Sequence, residues 1–285
     1  ELFRSEDKLG SLETIVTEIF NPEGETTEGG FTEVSREDSN VDGIKTQRIT
    51  FYKDNTIISQ SADLEGSQKS VTIRKFQQEP NTGEASNFGG GLDYEIARKE
   101  EEGKAGAEIY NYTFLEKDTE LSRSEDKVGS QLAIITEVFS PTVDPTENGY
   151  ELARTEESNV DGIPTKRFTF LKKDVVLSES IDKLGGLETI VRETFKPTTT
   201  NTTENNYTEV FRETSDFEGI QTEKITFYKD NAIISKSTDL VGSQQSVIVR
   251  KFQQEPNTSD AQDFGSGSNY IVAKKEEEGK EGAEI

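Results

Sequence analysis

Cysteine, histidine, methionine and tryptophan are all missing from this sequence of 285 residues. Without cysteine and histidine there is no thiolate nucleophile, no imidazole acid–base group and no Cys/His zinc site. Disulfides are excluded as well, so cysteine usage carries no information about redox compartment. Apolar residues are scarce, at 30% of the chain, so a core must be thin or divided among small units. No apolar run approaches the length of a membrane-spanning helix, and no membrane insertion is expected. Positive charge is also short, with 32 basic residues against 56 acidic ones and a net charge of −24. That sign opposes nucleic-acid phosphates and anionic membrane surfaces, so neither is expected as a partner. Residue 1 is Glu1 rather than a start methionine. A processed chain, or a window of something longer, is therefore expected.

What is present is repetition. The octapeptide KFQQEPNT occupies residues 75–82 and again residues 251–258. Phe31 corresponds to Tyr207, Phe51 to Phe227 and Ile109 to Ile285, so residues 1–109 and 176–285 are two copies of one stretch. A shorter period lies inside the long one, because five segments begin alike, at Leu2, Ile58, Leu121, Leu177 and Ile234. These give five repeats, at residues 1–56, 57–119, 120–175, 176–232 and 233–285. The first resembles the fourth most closely and the second the fifth, which makes a super-repeat of three. Ala107–Ile109 runs on into YNYTFLEK, a strand-like stretch that the fifth repeat lacks after Ala283–Ile285. Two expectations follow for that repeat: the chain continues, or a neighbouring molecule donates the strand to an open sheet edge.

Each repeat predicts four strands. In the first they are Leu2–Asp7, Ser11–Phe20, Phe31–Arg36 and Ile44–Lys53. Ile49 and Phe51 alternate with Arg48 and Thr50, as a half-buried strand requires. Asp42-Gly43 and Asp54-Asn55 supply residues that tolerate positive φ in tight turns. Short connections predict antiparallel strands in a meander. The Lys99–Lys104 and Lys274–Lys280 runs are expected as charged turns, and Gly89-Gly90-Gly91 and Gly265-Ser266-Gly267 as flexible connectors. The fold class expected is all-β, a tandem array of about five small four-stranded antiparallel units forming a linear filament segment. A β-propeller, a solenoid and a larger sandwich are the rivals.

Candidate sites are few. Asp38, Asn40 and Asp42, with Glu157, Asn159 and Asp161 in the third repeat, match the first half of a calcium loop. The closing glutamate is missing from both, where Ile49 and Phe168 stand instead, and hairpin turns explain the same residues. Asp7, Asp63, Asp126, Asp182 and Asp239 recur at one position in the five repeats, each before a glycine turn that an aspartate would cap. Glycosylation sequons stand at Asn111, Asn201, Asn206 and Asn257. Carboxylates are spread along every strand rather than paired in one cleft, and no P-loop, dinucleotide fingerprint or serine elbow is present, so no catalytic residue, enzyme activity or cofactor is expected. Phe20, Phe76, Phe139, Phe195 and Phe252 end the second strand of the repeats, and Phe31, Tyr94, Tyr150, Tyr207 and Tyr270 open the third. Both series read as core anchors.

Acidic, cysteine-free, rich in Ser, Thr and Asn, and built of small repeated β units along its whole length, the chain resembles the tandem β-repeat segments of bacterial or phage surface fibres. The resemblance implies an extracellular or virion-surface location and a structural role. The expected function is a structural subunit of an extracellular filament, with copies of itself as partners and strand donation between subunits. A fibre shaft or adhesin stalk that presents a glycan- or receptor-binding tip elsewhere is the alternative. Five units would span on the order of 150 Å.

Overall fold

The computed structural model describes residues 1–9, 12–184, 187–198, 203–204 and 206–285. It is all-β apart from two short helices, and each of its first four sheets comes from one continuous stretch of chain. The first sheet comprises β1 (Phe3–Leu9), β2 (Leu12–Ile19), β3 (Phe31–Val41) and β4 (Ile44–Lys53), in the order β1-β2-β4-β3. The second comprises β5 (Ile57–Glu65), β6 (Gln68–Phe76), β7 (Tyr94–Lys104) and β8 (Ala107–Glu116), ordered β5-β6-β8-β7, with α1 (Thr82–Gly89) between β6 and β7. The third holds β9 (Thr119–Val128), β10 (Gln131–Phe139), β11 (Glu151–Val160) and β12 (Ile163–Leu171), ordered β9-β10-β12-β11. The fourth holds β13 (Val175–Leu184), β14 (Leu187–Phe195), β15 (Thr203–Glu204), β16 (Tyr207–Phe217) and β17 (Ile220–Lys229), ordered β13-β14-β17-β16-β15. Last come the two-stranded pair β18 (Ile233–Val241) and β19 (Gln244–Lys251), the helix α2 (Thr258–Phe264), and a small ribbon of β20 (Gly279–Lys280) and β21 (Ala283–Glu284). The chain falls into two compact units. One is Glu1–Ser124 with Thr136–Pro145 and Thr155–Phe168; the other is Glu125–Ile135 with Thr146–Arg154 and Thr169–Ile285.

The sheets are antiparallel but not meanders, which corrects the expected strand order. β2 and β3 both pair antiparallel with β4, Ile15 opposite Phe51 and Arg36 opposite Ile49. β2 and β3 therefore run the same way with β4 between them. Residues 20–30 must carry the chain back along the sheet, the kind of crossover that parallel strands demand. In the second repeat this return holds α1, and in the fifth it holds α2. The glycine-rich stretches are thus helix ends rather than flexible connectors: Gly89 is the last residue of α1, and Gly90 caps it at φ 85°. The Lys99–Lys104 run is likewise strand rather than turn, with Lys99 opposite Tyr112 and Gly103 opposite Glu108. In the fifth repeat the turn falls at Glu281-Gly282, between β20 and β21, after the Lys274–Lys280 run.

The third-to-fourth strand turns follow from their residues. Val41 pairs with Ile44 across Asp42-Gly43, whose φ values of 50° and 85° give the doubly left-handed turn that matches strand twist. Within the first, second and fourth sheets, one face carries a private core. In the first it is Ile15, Ile49 and Phe51 with Ile19 and Phe31 packed against them; in the fourth it is Ile190, Ile225 and Phe227 with Tyr207. In the second, Val71, Ile73, Tyr94, Tyr112 and Phe114 close around Ala85 of α1. The opposite faces are also apolar in places, at Leu12 and Phe76 for example.

Candidate functional site at the repeat junctions

Residues that no private core uses converge where one repeat meets the next, four times over. At the first junction Leu12, Ile58 and Phe76 form a buried cluster, with Val34, Tyr52, Ala107 and Ile109 against it. Tyr52 meets Phe76 edge-to-face at 5.1 Å. The fourth junction repeats this with Leu187, Ile234 and Phe252 against Val210, Tyr228, Ala283 and Ile285, and its ring pair Tyr228–Phe252 lies at 5.2 Å. At the second, Ala97, Leu115, Phe139 and Ile163 pack with Leu121. At the third, Val128, Ala133, Leu171, Leu177, Phe195 and Ile220 form the cluster. The phenylalanine that ends each second strand is the shared anchor. It packs beside residues of the preceding repeat, so Phe76, Phe139, Phe195 and Phe252 are buried. Phe20, in the first repeat, is 62% exposed.

Polar contacts recur beside these clusters. The Thr32 hydroxyl lies 3.0 Å from Gln77 Oε1 at the first junction, and the Thr208 hydroxyl lies 3.2 Å from Gln253 Oε1 at the fourth. Gln77 Nε2 donates to the Gly106 carbonyl, and Gln253 Nε2 to that of Gly282. The middle junctions use charge at the same place. The Ser140 hydroxyl donates to Glu95 at 2.8 Å, and Glu151 receives Lys173 at 2.7 Å and Lys196 at 3.0 Å. The two lysines hold the Glu151 carboxyl below the usual carboxylate range. At the third junction Arg154 also donates to the Glu218 carbonyl at a hairpin tip. The two middle links between sheets are fastened alike: Asp118 accepts from the Thr142 backbone N–H and hydroxyl at 2.7 Å each, and Asp174 accepts from Thr198 in the same way. These bonds, the backbone one first, lower both aspartate pKa values.

The first-to-second strand turns complete the contact. Gly66, at φ 61°, comes so close to Glu120 that a Cβ there would lie 2.1 Å from its carbonyl oxygen. A Cβ on Gly129, at φ 60°, would lie 2.1 Å from the Leu177 carbonyl. Only glycine permits both the left-handed backbone and this approach.

The individually named candidate residues fall elsewhere. Asn40 Oδ1 accepts the Gly43 N–H at 2.8 Å, and Asn159 Oδ1 accepts that of Gly162 at 2.8 Å, so both asparagines close hairpin turns. Asp38, Asp42, Glu157 and Asp161 are exposed at the same tips. Among the described residues, no group of three or more Asp or Glu side chains is placed to hold a metal ion. Asp7, Asp63, Asp126, Asp182 and Asp239 lie exposed on first strands, not in the turns. Asp7 and Asp182 accept from Ser5 and Ser180, two residues back on the same face, at 3.3 and 3.0 Å. Asn111 sits in β8 between Arg74 and Glu100, with its amide donating to Glu100 at 2.9 Å. Asn206 is exposed before β16, and Asn257 Oδ1 caps α2. Asn201 lies outside the described residues.

A cleft of about 290 Å³, shallow and open, is lined at the second junction by Glu95, Phe139, Glu157, Pro164 and Lys166 among others. What the geometry does chemically is join repeats, through one apolar cluster and one polar contact applied repeatedly. Compared with protein families, curated proteins and solved structures, the chain matches none.

Proposed function

We propose that the chain is a structural segment of an extracellular filament or surface fibre, whose work is to hold successive β repeats in series. The observation that supports this most is the recurrence of one junction four times, with its phenylalanine anchor and its neighbouring polar pair, and with a glycine turn at the second and third. A sheet alone of this size has a thin core, so each junction cluster adds the burial that a repeat lacks. The acidic surface fits the role too, because like charge opposes sideways association of neighbouring chains. The partners proposed are further copies of the same kind of repeat.

Negative-stain electron microscopy tests this reading. The expected particles are narrow and of uniform width, lengthening when the repeats are duplicated in tandem. Compact discs or globules, unchanged in outline by duplication, would overturn it.

A further inference from the structure

Asparagine is followed by glycine once in this sequence, at Asn148-Gly149, in the return between β10 and β11. Every other asparagine precedes a residue with a side chain, from Ala232 after Asn231 to Tyr270 after Asn269. The surroundings differ as well. Asn40 and Asn159 accept the N–H groups of hairpin glycines, Asn81 and Asn257 cap helices, and Asn111 donates to Glu100. Asn148 and Gly149 are both exposed. Among the described residues, nothing hydrogen-bonds the Asn148 carboxamide or the Gly149 N–H. A Cβ built on Gly149 would meet nothing within 4 Å.

The local backbone is a turn closed by one bond. Tyr150 N–H donates to Glu147 O at 3.1 Å, and Gly149 takes φ 78° at the third position, as a type II turn requires. With no side chain on Gly149, little opposes rotation of its nitrogen toward the Asn148 carboxamide. The turn leads straight into the third junction. The Lys172 ammonium lies 5.1 Å from the centre of the Tyr150 ring, and Glu151 receives Lys173 and Lys196 at 2.7 and 3.0 Å.

We propose that Asn148 is a site of spontaneous deamidation, and that its conversion loosens the third junction. The Gly149 backbone nitrogen attacks Asn148 Cγ. The new N–Cγ bond forms, the Cγ–Nδ2 bond breaks, and the amide proton of Gly149 leaves with Nδ2 as ammonia. Water then opens the five-membered imide at either carbonyl, giving aspartate or isoaspartate. The balance is one water consumed and one ammonia released, with no change of oxidation state. Both products place a new carboxylate beside Glu147. Isoaspartate also routes the main chain through the former side chain and lengthens it by one atom. The bond from Tyr150 to Glu147 then no longer closes the same turn, and Tyr150 and Glu151 are displaced from their lysine partners. This chemistry belongs to the chain itself and does not rest on the filament reading.

The test uses the intact chain, aged in warm, mildly alkaline buffer and then digested with trypsin. The peptide Val128–Arg154 holds Asn148 as its only asparagine. Mass spectrometry is expected to show the amide-to-acid mass gain first in that peptide, with two separable products, aspartate and isoaspartate. Asn148→Gln is expected to remove the early gain. Hydrogen exchange at Tyr150 and Glu151 is expected to quicken in the aged chain, and less in fresh Asn148→Asp, which has the charge without the added main-chain atom. No conversion at Asn148, or earlier conversion at another asparagine, would overturn the site. Conversion with unchanged exchange at Tyr150 and Glu151, or an equal quickening in Asn148→Asp, would overturn the effect on the junction. The outline of particles in the microscope is independent of these outcomes, so this site and the filament role fail separately.

Discussion

A phenylalanine at the end of a strand has two different fates in this molecule. Phe76 is fully buried in the first junction and meets Tyr52 edge-to-face, while Phe20 is 62% exposed. Phe76→Ala should therefore cost about 3–5 kcal/mol, the usual cost of truncating a buried ring. Phe20→Ala should cost less than about 0.5 kcal/mol. Chemical unfolding of the two variants checks this, and equal losses would count against the junction. Charge acts at the same scale. Asp118 accepts two bonds from Thr142, which depress its pKa in the folded state. A depressed carboxylate contributes stability above its unfolded pKa, about 3.9, and loses it as pH falls through the folded value. Asp118→Asn should thus lower the thermal midpoint at pH 7, and the gap to the parent chain should close as pH drops below about 4. A gap that stays constant with pH would contradict the assignment. These roles were half legible in the sequence. The recurrence of Phe76, Phe139, Phe195 and Phe252 marked them as anchors, but alternation shows only that a face is apolar, not which neighbour covers it.

At the scale of elements, the turns were the most readable feature. Asp42-Gly43 and Asp161-Gly162 stand where doubly left-handed turns require them, and Asn40 and Asn159 close those turns. Strand order was not readable, because period-two alternation is the same for a meander as for a sheet in which β4 lies between β2 and β3. The helices were missed because a run of seven or eight residues is too short for clear periodicity. A signal did exist. Asn81 and Asn257 are each followed three residues later by an acid, and Asn257 with Asp260 forms a reciprocal capping box. The glycine turns carry the element-scale prediction. Gly129 and Gly242 share a left-handed φ, 60° and 67°, so alanine costs about 1–2 kcal/mol at either. Only at Gly129 would the new methyl meet the Leu177 carbonyl; at Gly242 it meets nothing within 4 Å. Gly129→Ala should therefore be the more destabilising of the pair by about another 1 kcal/mol or more, measured by urea unfolding. Equal effects would mean that the turn does not bear on the next repeat.

For the whole molecule, the sequence revealed the copying of a unit through KFQQEPNT and the five similar openings, and all-β character through its alternation. It did not reveal the junctions, since their members are far apart in the chain: Leu12 meets Phe76 and Ile109, and Leu187 meets Phe252 and Ile285. With 30% apolar residues, burial is divided among several thin cores and the clusters between them. The central proposal is that repeating one junction sets the repeats in series. Small-angle X-ray scattering of the chain in solution tests it most directly. The proposed fibre role, with five repeats in line, predicts a maximum dimension of about 150 Å and a radius of gyration of about 40 Å. A radius of gyration near 19 Å, that of a globule of the same length, would contradict the account.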